Sequence, residues 1–268
     1  MIKWLVTGER VNTNVNGFNP TFQRHAAVYK FCSSLLENDI VLDLGCGTGH
    51  SFHYLAPRKS IGLDIFAPAL REQGRPTVQA SMCHLPFCDK AFGGILSSHS
   101  LEHVRDPEVV LSEASRVLRP GGVALFITPN RLTFGCPDEI IDPYHFKEFS
   151  PSELKEAASL YFSDVVLMGL FGSARYTSIL AKQKRTMNTI LRFDFMKIRR
   201  FIPLKLKAFL YDTMLTITRV PSKRSEDLSI TIDDFSVRSE DLESAEDLIA
   251  ICRAPRESGS KARVPGSS

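Results

Sequence analysis

The sequence predicts an α/β fold in which a mostly parallel sheet carries helices on both faces. Four short apolar runs typical of buried strands occur at residues 40–47, 60–66, 91–98 and 121–130. An amphipathic segment at 107–118 separates the last two runs. Strand-like runs that alternate with helical segments are the pattern of a parallel sheet covered by helices.

The composition is that of a protein folding in water around one core. The chain has 268 residues, of which 43% are hydrophobic and 24% are charged. A net charge of +3, from 33 basic and 30 acidic residues, is too small to indicate nucleic acid as a partner. Six cysteines without a C-x-x-C pair are typical of reduced thiols in the cytoplasm. No apolar run reaches the length of a signal peptide or a membrane span, so we expect neither.

The elements follow in order along the chain. An Asn-rich loop precedes an amphipathic helix over residues 20–36, which caps the sheet. After the fourth run, residues 142–149 form a loop. A helix then begins with Ser150 as N-cap, Pro151 in the first turn and Glu153 completing a capping box, and runs to about Tyr161. Two further strands are expected, at 162–171 and near the end of the chain.

An insertion separates these two strands. Residues 182–207 carry nine Lys or Arg against one acid, with aromatic and apolar residues between them, and residues 225–247 are acidic and loop-like. The basic half either docks on an anionic membrane surface or forms a helical lid with solvated charges. The predicted organisation is an N-terminal loop and capping helix (1–39), a core (40–180), the insertion (181–244), a last core strand (245–254) and a disordered tail (255–268).

The first strand leads into a glycine-rich loop with Gly45, Gly47 and Gly49. Glycines at this spacing let the backbone turn sharply into a helix and approach a ligand closely. A dinucleotide fingerprint would need glycine where His50 stands. Asp43, directly before the loop, would repel a pyrophosphate and attract a cationic ligand.

Asp64 ends the next strand, nineteen residues beyond Gly45, where a carboxylate accepts hydrogen bonds from ribose hydroxyls. A ribose together with a positive charge points to an adenosyl sulfonium. The residues then match a known pattern in four segments: VLDLGCGTGH at 41–50, QASMCHLPFCDKAF at 79–92, SSHSLEHVRDP at 97–107 and RVLRPGGVALFITPN at 116–130. In these segments the chain resembles the class I S-adenosylmethionine-dependent methyltransferases, of the small-molecule group with a methyltransferase type 11-like core.

The resemblance implies a Rossmann-like sheet of seven strands with the last one antiparallel. It also implies S-adenosyl-L-methionine as cofactor and residues 40–180 as the domain that binds it, with no metal site expected. By the same resemblance, the three loop glycines hold the methionine portion near Asp43, and Asp64 holds the ribose. Ser81 and Met82 would lie beside the adenine, and Ser98 near the methionine amine. The family often has Asp where Ser81 stands here, and the serine hydroxyl can accept the adenine contact in its place. It also often has Asp where Gly93 stands, a difference that concerns a strand start and not the chemistry.

Methyl transfer needs a base only when the acceptor must lose a proton, and histidine suits a hydroxyl acceptor at neutral pH. His99, His103 and His145 lie in loops that face the acceptor in the resembling enzymes. We favour His145 as base or positioning group, with His103 as the second candidate, and Glu148 or Asp142 could orient His145. The N-P-P-Y signature of nucleobase enzymes is absent from the sequence.

The expected acceptor is a small molecule, glycan or lipid-linked compound, methylated at oxygen. A quinone-precursor or secondary-metabolite methyltransferase is an alternative, as is a non-catalytic binding protein of the same fold. A nicotinamide-linked oxidoreductase is disfavoured by His50 and Asp43. We expect a cytoplasmic protein with peripheral membrane contact through residues 182–207 if that segment docks, and the sequence does not specify an oligomeric state.

Overall fold

The computed structural model describes residues 19–36, 40–55, 59–71, 73–134, 140, 142–192, 206, 211, 213 and 230–256. Within these residues the chain forms one eight-stranded sheet. Its strands are β1 Val41–Leu44, β2 Ser60–Asp64, β3 Thr77–Gln79, β4 Phe92–Ser98, β5 Leu118–Pro129, β6 Phe162–Gly172, β7 Phe235–Arg238 and β8 Asp247–Pro255. The spatial order is β3-β2-β1-β4-β5-β8-β6-β7. Strands β1 to β5 pair in parallel, β8 is antiparallel to both β5 and β6, and β7 is antiparallel to β6.

The helices are α1 Asn19–Leu35, α2 Ala67–Leu70, α3 Pro107–Val117, α4 Pro151–Ser159 and α5 Ala174–Arg192. The capping box predicted for α4 is present, because Ser150 Oγ accepts from the backbone of Glu153 and the Glu153 carboxylate accepts from the backbone of Ser150. These paired bonds satisfy two amide groups that a helix start leaves open. The helix ends at Ser159, two residues earlier than expected.

Alternate residues of the central strands enter two separate cores. On β5, Ala124 and Phe126 pack with α3 and α4, whereas Val123, Leu125 and Ile127 pack with α1. Successive side chains of a strand point to opposite faces, so a strand that is apolar throughout must be covered on both sides. The arrangement confirms the predicted mostly parallel sheet with helices on both faces.

Two local expectations were wrong. The sheet formed by the described residues has eight strands where seven were expected, since β7 lies in a segment expected to be an acidic loop. Its residues alternate between half-buried and exposed, and the exposed polar ones conceal the strand pattern. The helix expected directly after the glycine loop is a single 3-10 turn, Phe52–Leu55.

Most of the basic insertion lies outside the described residues, as does the tail after residue 256, so the lid and the membrane-docking interpretations both stay predictions. Residues 182–192 of the basic segment belong to α5, which begins at Ala174. No helix among the described residues is both long and apolar enough to cross a bilayer.

The parallel strands bring their carboxyl ends to one edge of the sheet. Asp43, Asp64 and Ser98 are at or near the ends of β1, β2 and β4 there. Because β8 runs the opposite way, its first residue, Asp247, lies at the same edge, paired with Pro129 of β5. Ligands of open α/β sheets bind outside this edge.

Candidate active site

The loop after β1 adopts a backbone that only glycine accepts readily. Gly45, Gly47 and Gly49 have φ values of +66°, +53° and +70°, which place all three in the left-handed region. A Cβ atom on Gly45 would overlap the Cβ of Ser100, whereas a Cβ on Gly47 would meet nothing within 4 Å. The loop therefore packs tightly at Gly45 and presents an open face at Gly47.

Asp64 ties the glycine loop to the end of β2. Its Oδ2 atom accepts a hydrogen bond of 2.9 Å from the backbone N–H of Gly47, and Oδ1 accepts one of 2.8 Å from Phe66. The side chain is buried beside the open face of Gly47. Each carboxylate oxygen can accept more than one hydrogen bond, so this position retains capacity for donors such as ribose hydroxyls.

Asp43 does not face a ligand cation directly, contrary to the sequence expectation. Its Oδ2 atom lies 2.7 Å from Nη2 of Arg75, and its Oδ1 atom accepts a 3.0 Å hydrogen bond from the hydroxyl of Tyr29. Burial raises the pKa of the Asp43 carboxyl, and Arg75 opposes that rise. The charge of Asp43 is balanced inside the protein, so the carboxylate holds the strand end and its neighbours in place.

Two residues that the sequence did not single out complete this support. Gln73 donates a 2.6 Å hydrogen bond to the carbonyl of Gly47, and a Cβ atom on Gly49 would collide with its side chain. Arg75 donates through Nε to Oε1 of Gln73 at 2.9 Å. A series of hydrogen bonds thus links Asp43 through Arg75 and Gln73 to the backbone of the glycine loop. Neither residue belongs to a spacing motif, so no sequence signal marked them.

The other predicted cofactor residues lie around the same loop. The methyl carbon of Met82 would be 3.0 Å from a Cβ atom on Gly45, which places Met82 against the loop. The Ser81 hydroxyl accepts a local bond of 3.2 Å from the backbone of Cys83. The Ser98 hydroxyl is buried and has no hydrogen-bond partner among the described residues. Buried hydroxyls are normally paired, so Ser98 offers a polar contact to a bound molecule.

His99 belongs to a buried ionic cluster. Its Nε2 atom lies 3.4 Å from Oδ2 of Asp247, which also pairs with Arg24 at 3.0 Å, and its ring stacks on His25 at 4.1 Å between centroids. Burial lowers the pKa of His99, but Asp247 and Glu102 outweigh burial and raise it to about 9. Both ring nitrogens of His99 face carboxylates, so the protonated ring is favoured and neither nitrogen is placed to take a proton from an acceptor.

His103 and His145 meet at the sheet edge although 41 residues separate them in the chain. Their ring centroids are 5.0 Å apart in an edge-to-face arrangement. Nδ1 of His103 lies 3.0 Å from the carbonyl oxygen of Tyr144, and Nδ1 of His145 lies 2.8 Å from Oε1 of Glu148. The structure therefore brings together the two histidines that the sequence analysis favoured.

Both carboxylates proposed to orient His145 are beside it. Glu148 makes the hydrogen bond at Nδ1, and Oδ2 of Asp142 lies 3.8 Å from Nε2. Burial lowers the pKa of His145, and the bond to Glu148 with the surrounding carboxylates reverses the shift, so that the net change is upward. The ring is thus held in one orientation by fixed neighbours.

Comparison with known proteins gives consistent matches. A family model described as a methyltransferase domain matches residues 42–126. A protein named as a probable S-adenosylmethionine-dependent methyltransferase of Mycobacterium tuberculosis is 31% identical over 186 residues, covering 66% of this chain and 68% of the relative. One of Mycolicibacterium smegmatis is 29% identical over 259 residues, covering 93% and 95%. The fold resembles a Thermotoga maritima SAM-dependent methyltransferase, with a TM-score of 0.55 at 17% identity over 88% of this chain and 92% of that one.

Proposed function

The chain belongs to the S-adenosylmethionine-dependent methyltransferases, and from this premise we propose that it methylates an oxygen atom of a small-molecule, glycan or lipid-linked acceptor. The observation that carries the oxygen assignment is the oriented pair of His103 and His145 at the edge that holds the glycine loop. Fixed imidazoles suit a hydroxyl acceptor, which must lose its proton during transfer.

The residues at the sheet edge fit the cofactor. When bound, S-adenosyl-L-methionine supplies a methyl group activated by a positively charged sulfur. The open face at Gly47 admits the ligand, and the Asp64 carboxylate accepts from hydroxyl donors. The buried, unpartnered hydroxyl of Ser98 supplies a third polar contact. Asp43 does not contact the cofactor itself and supports the glycine loop through Arg75 and Gln73.

Replacing Asp64 with Asn is expected to weaken S-adenosylhomocysteine binding by about 10- to 100-fold. Each hydrogen bond to a charged group contributes about 1.5–3 kcal/mol. In addition, the NH₂ group of the asparagine would face a backbone N–H, and two donors cannot form a hydrogen bond. Calorimetric titration of the purified chain measures the affinity. Asp164→Asn is the matched control, since this exposed aspartate lies on β6. Equal affinities in the two variants would remove Asp64 from the cofactor site.

On the acceptor side, His145 positions the hydroxyl and receives its proton. Glu148 fixes the ring through Nδ1, which leaves Nε2 to meet the acceptor. During methyl transfer the hydroxyl proton would pass to this nitrogen. The protein contributes alignment of the two reactants and exclusion of water.

We expect His145→Ala to lower the turnover number by about 10²- to 10⁴-fold while leaving S-adenosylhomocysteine affinity unchanged. Turnover is followed by mass spectrometry of a panel of sugars, phenols and lipid-linked glycans, each scored for the gain of one methyl group, with amines as a parallel panel. His53→Ala, at an exposed position, is the control variant. Products from the amine panel alone would contradict the oxygen assignment.

A further inference from the structure

Glu102 joins the two histidines in a compact group of three. One donor atom from each of Glu102, His103 and His145 lies within 4.8 Å of the others. Glu102 and His103 belong to a 3-10 turn that follows β4, and His145 lies in the loop before α4. The backbone N–H of Phe146 donates to the carbonyl of Glu102 at 2.8 Å, so a direct main-chain bond fixes one loop against the other.

Both histidines have one ring nitrogen already committed. The carbonyl oxygen of Tyr144 can only accept, so Nδ1 of His103 carries the proton and donates to it. The carboxylate of Glu148 likewise holds the proton on Nδ1 of His145. In each ring the lone pair is then on Nε2. Metal-binding histidines almost always donate their other N–H to a carboxylate or a carbonyl in this way.

Glu102 places a buried carboxylate beside the two histidines. The residue is 1% exposed, and its Oε2 atom has no hydrogen-bond partner among the described residues. Its Oε1 atom is 3.6 Å from Nδ1 of His99, beyond a good hydrogen bond. A buried carboxylate oxygen without a partner is costly unless a cation or a donor meets it.

We propose that Glu102, His103 and His145 bind a divalent transition metal ion of the zinc class. Two imidazoles and one carboxylate are a ligand set of catalytic zinc, which leaves one coordination position open for another oxygen. Ligands about 2.0–2.2 Å from the ion lie about 3.4 Å apart, so binding draws the three donors closer together. Asp142, 3.8 Å from Nε2 of His145, adds a carboxylate at the rim and itself accepts from the hydroxyl of Tyr211 at 3.0 Å.

The catalytic use of this ion rests on the proposed function, whereas its binding does not. A metal-bound hydroxyl has a lowered pKa, so an acceptor hydroxyl in the open position would lose its proton to the Asp142 carboxylate or to solvent. In the metal-bound chain His145 would then be a ligand, and the role of proton acceptor proposed above would apply to the metal-free chain only. No metal site was expected from the resemblance, and the spacing in the chain gives no sign of one, because His145 is 42 residues from His103 and only the fold brings them together.

The test is a titration of the full, untagged chain with Co²⁺ after dialysis against a chelator, without cofactor. We expect one equivalent to bind with visible absorption typical of nitrogen and oxygen ligands, and Zn²⁺ to displace it. His103→Ala and His145→Ala should bind about 100-fold more weakly or not at all, and Glu148→Gln about 10- to 100-fold more weakly. His53→Ala should bind as the original chain does, and thermal unfolding checks that every variant is folded.

Two outcomes overturn the proposal: no saturable binding of Co²⁺, or equal binding by the folded histidine variants and the original chain. The outcome also separates this inference from the proposed function. A chain that binds no metal but still methylates an oxygen acceptor after chelation contradicts the metal site alone. A chain that binds Co²⁺ through these residues but yields methylated amines only retains the site and contradicts the oxygen assignment.

Discussion

Replacing Arg75 with Met is expected to lower the free energy of unfolding by about 3–5 kcal/mol, because it leaves the Asp43 carboxylate buried without its counter-charge. The exposed fractions of the two side chains are 4% for Arg75 and 1% for Asp43. Solvent therefore cannot replace the lost partner. Methionine keeps much of the apolar length, so the effect reports on charge rather than on a cavity.

Urea unfolding measures this loss, and a double variant identifies its cause. Asp43→Asn combined with Arg75→Met removes both charges, so it should be more stable than Arg75→Met alone. Arg71→Met is the control, since that arginine is exposed in the same segment. A loss below about 1 kcal/mol in Arg75→Met, or a double variant no more stable than the single one, would show that the pair is not what holds this region.

The same variant should also weaken S-adenosylhomocysteine binding. Arg75 contacts Oε1 of Gln73, whose amide donates to the carbonyl of Gly47. Loss of the guanidinium frees Gln73 and with it the loop. The glycine spacing could be recognised in the sequence, but this support could not, because Arg75 reaches Asp43 across 32 residues and through side-chain contacts alone.

The predictable parts of the fold are those with local causes. Burial on both faces keeps β1, β4 and the last eight residues of β5 mostly apolar, and the capping box of Ser150 and Glu153 is a local hydrogen-bond pair. By contrast, β7 is an edge strand with one half-buried face, and its exposed Ser236 and Arg238 mask the pattern.

The site divides in the same way. Asp64 follows from its position at a strand end, and His145 from the loop that carries it. Glu102 was missed because nothing in the local sequence distinguishes it from an exposed acid. Only its burial and its unpartnered oxygen set it apart, and both are properties of the folded chain.

Gly45→Ala and Gly47→Ala are expected to separate packing from ligand approach within one loop. Both residues have positive φ, so each alanine costs about 1–2 kcal/mol of backbone strain. At Gly45 the new methyl group also collides with Ser100, which is fixed by its bond to the carbonyl of Leu44, so a further cost of about 1–3 kcal/mol follows. Gly45→Ala should therefore lose both stability and S-adenosylhomocysteine binding.

At Gly47 the methyl group meets no protein atom within 4 Å, so the loss of folding stability is limited to the backbone strain. The same methyl group projects into the face where the cofactor must approach, and the affinity for S-adenosylhomocysteine should fall as sharply as in Gly45→Ala.

Gly121→Ala is the matched control, because Gly121 has φ +80° and equally open surroundings near the start of β5, away from the carboxyl edge. Thermal unfolding and calorimetric titration of the three variants measure the two effects separately. Affinity in Gly47→Ala equal to that in Gly121→Ala would mean that the ligand does not approach this face, and the assignment of the loop would fail with it.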